Sequence, residues 1–396
     1  MTMRVGSGAG RRLSGSGAEP PPPFALSIPG DAADIGAASP GNCSASGSAP
    51  DAPAPRATRS AELLRAARRR ASARDILLLT GLAVVTALLF GAGLVFGAKP
   101  LAAPDVLRAL SGETVPGVSF AVVELRLPRA LGALLTGAAF GLGGMLFQTL
   151  LRNVLASPDV IGISAGSSAA AITAISFFGA SGLLVAAAAI VGGLITALLI
   201  WVLAYRRGLS GLRFVLVGIA VAAALQAVIS YVLTRSDVKA AEQATVWMAG
   251  SLSRSLWDQL APTAPALTVL LAIALLAARA LPVLRLGDDS ATALGARPQR
   301  SRILLILCAV LLIAVATSLT GPISFVAFLA GPIALRLVRR GAALPLASAL
   351  LGAIIVLAGD AVAQHLFPLA LPVGVITGAI GAPFLLWLLM RGRTRA

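Results

Sequence analysis

Apolar runs of about 20 residues recur from Ile76 to Met390, separated by short polar or charged stretches. A bilayer core about 30 Å thick takes roughly 20 helical residues to cross, so each run is a candidate span and should be a helix. The runs lie at 76–98, 127–150, 160–179, 182–205, 212–234, 261–282, 303–320, 323–339, 344–366 and 372–390, which makes about ten crossings. Gly and Ser dilute the third, and Gly331-Pro332 interrupts the eighth. The predicted fold class is an all-α polytopic membrane protein.

Composition agrees, with 57% hydrophobic and 12% charged residues among 396. The net charge of +16 could point to nucleic acid, but the basic residues gather at span ends and in the N-terminal tail. Positive loops stay cytoplasmic, and 25 of the 32 Lys and Arg residues fall on one side of the ten-span arrangement. Topology therefore accounts for the charge without nucleic acid, and it places both termini in the cytoplasm of a multi-pass cell-membrane protein. Residues 1–75 are expected to be a basic cytoplasmic extension. Up to about residue 60 it is rich in Gly, Ser, Ala and Pro, hence disordered. Residues 60–75 suit a short basic helix on the inner leaflet, either a topology anchor or a site for membrane lipid. About 75 polar residues precede the first run, unlike a cleaved signal peptide, so that run is expected to remain as an anchor. Cys43 and Cys308 sit in tail and span, which indicates no disulfide framework.

Several chemistries lack their residues. Neither Lys99 nor Lys239 sits in a GxxxxGK[ST] loop, so the chain does not cradle ATP in that way. One histidine, His365, and two distant cysteines make a built metal site improbable. Among acids only Asp360 lies well inside a span, open to a structural role or to that of a proton site. Gly137 and Gly141, followed by Gly143 and Gly144, mark a helix that approaches its neighbours closely.

Three stretches remain to be explained. Arg126 and Arg129 stand at the outer end of the second span, where cations are disfavoured. At this spacing they could grip a carboxylate-bearing partner or snorkel to lipid phosphate. The loop 283–302, with LRLGDDSATALGARPQRSR, is the largest internal cytoplasmic loop and could form two short helices. It is either an ordinary solvated loop or the contact for an ATPase. RNVLASPDVIGISAG, Arg152 to Gly166, breaks membrane-grade sequence with polar residues, Pro158 and two glycines. Broken backbone at membrane depth is tolerated only where it is buried in protein or lines water.

The order of RLPRALGALLTGAAFGLGG with Gln148, RNVLASPDVIGISAG, LRFVLVGIAV, WMAGSL, LGDDSATALG, GPISFVAFLAGP and LPVGVITGAIGAPFLLWLL resembles the FecCD-type permeases. These import iron siderophores, haem and vitamin B12 with a periplasmic or lipid-anchored binding protein and a separate ATPase. The likeness covers about residues 76–392. It implies that Arg126 and Arg129 dock on the binding protein. It implies a cytoplasmic gate at Asn153, Val154 and Leu155, with Ser210 as the second gate position. The coupling element would be Gly287, Asp288, Asp289, Ala291, Leu294 and Gly295, seated on the ATPase. Three departures stand out: Val154 where the family usually has Pro, no His after Pro332 in FLAGPIALR, and Gln364 where many members carry a docking Arg. The last favours a second, non-identical permease subunit.

The resulting expectation is a permease subunit of an ABC importer for a ferric siderophore. It would bind no cofactor and catalyse no covalent chemistry, with ATP on the partner ATPase. The alternatives are a proton-coupled secondary carrier using Asp360, or a membrane scaffold with no flux.

Overall fold

The computed structural model describes residues 55–97, 99–154, 156–204, 211–253, 255–338, 341–367 and 370–392. Leu155, Ser210 and residues 1–54, where most of the expected disorder falls, lie outside the described residues. From Pro55 the chain is helical, and α1 (Pro55–Val95) runs without a break from the basic stretch into the first span. The expected boundary at residue 75 is thus no boundary in the backbone. SAELLRAARRR is rich in Ala, Leu and Arg, all strong helix formers, and nothing in it caps or breaks a helix. At 1.5 Å per residue α1 is about 60 Å long, twice the hydrocarbon thickness, so its basic half extends beyond the bilayer.

α2 (Ala103–Leu110) follows, then a π-helical stretch, Phe120–Arg126, that runs straight into α3 (Leu127–Leu150). Next come α4 (Pro158–Ile161), α5 (Ile163–Phe178), α6 (Leu183–Ala204), α7 (Gly211–Arg235) and α8 (Val238–Met248). The second half comprises α9 (Trp257–Ala277), α10 (Leu281–Leu284), α11 (Asp288–Ala293), α12 (Pro298–Thr320), α13 (Val326–Leu337), α14 (Leu344–His365) and α15 (Val373–Gly392). Among the described residues, seven stretches are long and apolar enough to cross a membrane alone, and three shorter apolar helices lie in α5, α13 and α15. These ten correspond one for one to the ten apolar runs.

α3 is the central helix, packed by α9, α12, α13 and α14. Its glycines explain how. Gly137 lies against the backbone of Gly352 and Ala353, Gly141 against the Ser348 carbonyl, and Gly144 against the Ala327 carbonyl. A methyl group at any of these three would overlap backbone atoms, so the α3–α14 and α3–α13 contacts need glycine. Buried Phe140, Leu142, Leu146 and Phe147 fill the space around them. α1, by contrast, buries little of its spanning segment and faces outward. In the loop after α2 Arg108 holds Glu113 in an exposed ion pair at 2.6 Å, and that contact keeps the Glu113 carboxyl below its usual range. An exposed pair of this kind contributes little to stability.

Two helices begin partway along the bundle rather than at its end. Gly211, at the start of α7, packs on the Leu151 carbonyl, while Gly218 packs on Ile161. Seven residues of α7 span roughly 10 Å, so Ile161 lies about that far along α7 from Leu151 before α5 starts. Ala327 meets Gly144, six residues before the end of α3 and hence about 9 Å above it. Gly321–Phe325 thus descends in non-helical form from the far end of α12 before α13 starts, at a similar depth. Left-handed residues stand at both helix starts, Gly162 (φ 95°) before α5 and Phe325 (φ 65°) before α13.

Candidate gate, coupling loop and outer cluster

The loop 283–302 is built on two glycine turns. Gly287 (φ 97°) precedes α11 and Gly295 (φ 79°) follows it, both in backbone conformations that side chains resist. The Ala296 amide returns to the Ala291 carbonyl (3.0 Å), closing α11 with a left-handed cap. Asp288 accepts two bonds from Arg302 of α12 (2.6 and 2.9 Å), which fixes α11 to the bundle. Ala291 is buried against the protein, whereas Leu286 and Leu294 are 60% and 67% exposed. Asp289 is exposed as well. Two short helices, α10 (Leu281–Leu284), whose end enters the loop, and α11, precede α12, which begins at Pro298. Its exposed surface carries Leu286 and Leu294 beside the acids Asp288 and Asp289.

The gate segment begins where α3 ends. Arg152 sits in the left-handed region (φ 49°), and the Asn153 amide bonds the Gln148 carbonyl (3.1 Å), a helix-ending motif that usually carries Gly. Val154 is 43% exposed. The Gln148 side-chain amide donates to the Val154 carbonyl (3.0 Å) and to the Phe328 carbonyl of α13 (3.1 Å). Ser157 caps α4 by accepting from the Val160 amide. Leu155 and Ser210 fall outside the described residues, but Gly211, beside Ser210, rests on Leu151 and so approaches the first gate position.

Gate and coupling loop share walls. One cavity of about 340 Å³ is bounded by Arg152, Gly211, Gly287, Asp288 and Arg302. A second, of about 330 Å³, is bounded by Gln148, Asn153, Val154, Arg285 and Leu335. Residues Arg152–Val154 thus lie across these cavities from Arg285, Gly287, Asp288 and Arg302.

Further up, α7 exposes Gln226, Ser230 and Thr234 at four-residue spacing, which puts them on one face. Polar side chains on an exposed face of a spanning helix suit water or a protein partner, not lipid. The sequence reading missed this face, although the spacing is visible in LQAVISYVLTR.

At the outer end both arginines have partners within the chain. Arg126 donates to the carbonyls of Leu94 (2.9 Å), Val95 (2.8 Å) and Lys99 (2.6 Å), so it caps the end of α1. Arg129 pairs in two-pronged fashion with Asp360 of α14 (2.8 and 3.0 Å), and Gln364 donates to the same carboxylate (2.6 Å). These groups line a cavity of about 680 Å³ together with Phe96 and His365. Asp360 is a compensated acid, held by a guanidinium and an amide, which disfavours the proton-coupled carrier. Among the described residues no group of three or more His, Cys, Asp or Glu side chains could hold a metal.

An all-helical bundle with seven candidate spans, three shorter apolar helices and a polar face on α7 has the architecture of a polytopic membrane transporter. The chain belongs to the FecCD transport family, which matches residues 83–391. It is 42% identical to the ferric enterobactin transport system permease protein FepG of Escherichia coli (strain K12), over 80% of this chain and 96% of that protein. A second permease protein named for ferric enterobactin transport in the same organism, FepD, is 38% identical over 79% of this chain and 94% of its own length. A solved chain described as an inward-facing conformation of a metal-chelate type ABC transporter superposes with a TM-score of 0.70. It is 28% identical, covering 80% of this chain and 99% of that one. The membership also weighs against the proton-coupled alternative.

Proposed function

We propose that the chain is the membrane-spanning permease subunit of a binding-protein-dependent ABC importer, and that its cargo is a ferric siderophore. The observation that carries the reading is the shared wall between the loop 283–302 and the gate segment at Arg152–Val154. The chain around it spans nearly the full length of named ferric-siderophore permeases. ATP is bound and hydrolysed on separate cytoplasmic ATPase subunits, and this chain holds no cofactor. Those subunits seat on α11, where exposed Leu286 and Leu294 offer apolar contact and buried Ala291 keeps the helix close to the bundle. Movement of α11 passes to the gate at Asn153, Val154, Leu155 and Ser210. The α7 face at Gln226, Ser230 and Thr234 lines the path against a second permease subunit. FepG and FepD share a named system, which supports pairing with a different chain. The binding protein, periplasmic or lipid-anchored, docks at the outer end around Arg126 and Arg129, and both termini face the cytoplasm.

The test is uptake of radio-iron-labelled ferric catecholate, ferric hydroxamate, haem and labelled vitamin B12 in cells lacking the gene, with and without its restoration. Loss confined to a ferric siderophore and recovered on complementation is expected. Uptake of all four unchanged by deletion, in cells with no second importer for them, would remove the substrate assignment.

A further inference from the structure

Gln148 is near the end of α3 and only 6% exposed, and its side-chain amide donates to two carbonyls in different parts of the bundle. One is the Phe328 carbonyl of α13 (3.1 Å). A helical carbonyl accepts from the amide four residues on, which here belongs to Pro332, and proline has no N–H. The sequence therefore leaves the Phe328 carbonyl open, and Gln148 fills it. Gly331 makes the room, because a methyl group there would overlap Gln148 Oε1. Gly331-Pro332, which interrupts the eighth apolar run, is thus a socket for one side chain of α3. The other acceptor is the Val154 carbonyl (3.0 Å), in the turn that follows α3. The Gln148 backbone holds the same turn again, since its carbonyl accepts from the Asn153 amide (3.1 Å). Oε1 itself is buried with no hydrogen-bond partner among the described residues. Turning the amide over would set that oxygen against two carbonyls, so the two acceptors fix its orientation. A buried oxygen without a donor costs stability, and an apolar side chain here would avoid that cost but hold neither carbonyl.

We propose that Gln148 is the positioning residue of the gate: seated in the Gly331–Pro332 socket of α13, it holds the Asn153–Val154 turn in place. The turn needs such a hold. Val154 is 43% exposed and has little packing of its own, whereas Gln148, Asn153, Val154 and Leu335 of α13 border one cavity of about 330 Å³. Two hydrogen bonds from a single amide nitrogen set the separation of turn and helix across that cavity without using any charge. The inference rests on the permease reading, which makes Asn153 and Val154 gate residues, and it gives Gln148, Gly331 and Pro332 a shared purpose.

The experiment uses the complete transporter with its partner subunits, in detergent for melting temperature and in proteoliposomes for ATP hydrolysis and uptake of a radio-iron-labelled ferric catecholate. Gln148→Met keeps the length of the side chain and removes both donors. It should lower the melting temperature and cut the iron moved per ATP hydrolysed at least about tenfold. Adding Pro332→Ala returns a backbone donor to the Phe328 carbonyl but leaves the Val154 carbonyl unheld. The double variant, read against Pro332→Ala alone, should therefore regain melting temperature while iron per ATP stays low. Recovery of both would mean that Gln148 merely completes α13, and would overturn the proposal. Wild-type iron per ATP in Gln148→Met would overturn it as well. If Gln148→Met does not assemble, Gly331→Ala decides: it keeps the amide but blocks its socket, and iron per ATP should fall, a wild-type value again overturning the proposal. Absence of ATP-driven uptake by the wild-type complex would instead strike the permease reading, and the melting temperatures would still show whether Gln148 serves the Phe328 carbonyl.

Discussion

The outer arginines show how one residue type at one spacing can carry two meanings. RLPR announces two cations where the positive-inside rule disfavours them, and that anomaly is readable from the chain alone. What each cation holds is not readable, because the α1 carbonyls lie about 30 residues upstream of Arg126 and Asp360 lies 231 residues beyond Arg129. The structure gives both a use inside the bundle. Charge reversal at Arg126 and Arg129 would therefore release α1 and α14 as well as remove any docking contact. A cleaner measurement separates the two. The side chains of Arg129 and Asp360 are 22% and 10% exposed, so removing one partner strands the other in a poorly solvated place. Arg129→Ala should cost about 3 kcal/mol of stability, and Arg129→Ala combined with Asp360→Ala should cost less. Thermal unfolding in detergent checks this, and equal losses in single and double variants would show that the pair is not the reason. Arg152 gives a second residue-scale prediction. A non-glycine side chain in the left-handed region costs about 1–2 kcal/mol, and glycine returns roughly half of that through its freer unfolded chain. Arg152→Gly should thus raise stability by up to about 1 kcal/mol while slowing uptake, since Arg152 borders both cavities beside the gate. Faster or unchanged uptake would remove Arg152 from the gate.

At the scale of elements, what was legible and what was not divides along the same line. Ten apolar runs gave ten helices because spanning requires continuous apolar sequence, a constraint written locally. The Gly137–Gly141 spacing likewise announced close packing, and its partners prove to be Gly352 and Ser348 of α14. The glycine at 352 is itself in contact with the Gly137 carbonyl, so the contact is backbone against backbone from both sides. Gly141→Val should therefore separate α3 from α14. Overpacking of a close-packed interior usually costs about 1–3 kcal/mol, and here the new methyls meet carbonyls that cannot swing aside, so the upper end applies. The measurement is the yield of monodisperse protein by size exclusion, with Gly81→Val on α1 as the control, because a side chain there meets open space. Equal yields would mean that α14 can move away from α3. The start of α13 was not legible. Left-handed backbone is announced by Gly or Asn, and Phe325 is neither.

For the whole molecule the question is how the proposed importer is driven. The loop 283–302 is small, but every feature of it serves rigidity: two left-handed glycines set its ends, Asp288 is clamped by Arg302, and Ala291 anchors α11 inward. A rigid loop transmits force, whereas a loose one absorbs it. The likeness to known permeases picked out these positions, and the structure gives them a defined local geometry. Gly287→Ala together with Gly295→Ala places side chains in backbone that resists them, although a side chain at either would meet open space. The α11 helix should lose its orientation without disturbing the spans, because neither glycine packs against the bundle. Expected outcomes are unchanged helical content and melting temperature, weakened co-purification of the ATPase, and loss of uptake. Leu294→Glu should give the same pattern by a different route. It leaves the loop's geometry intact and puts a charge on its exposed apolar rim, where desolvation on docking is unfavourable. If Leu294→Glu retains the ATPase while the glycine pair loses it, the loop acts by shape and its rim is not the contact. If both variants retain the ATPase and transport normally, the drive enters elsewhere, and the shared cavities at Arg152 and Asp288 have no part in coupling.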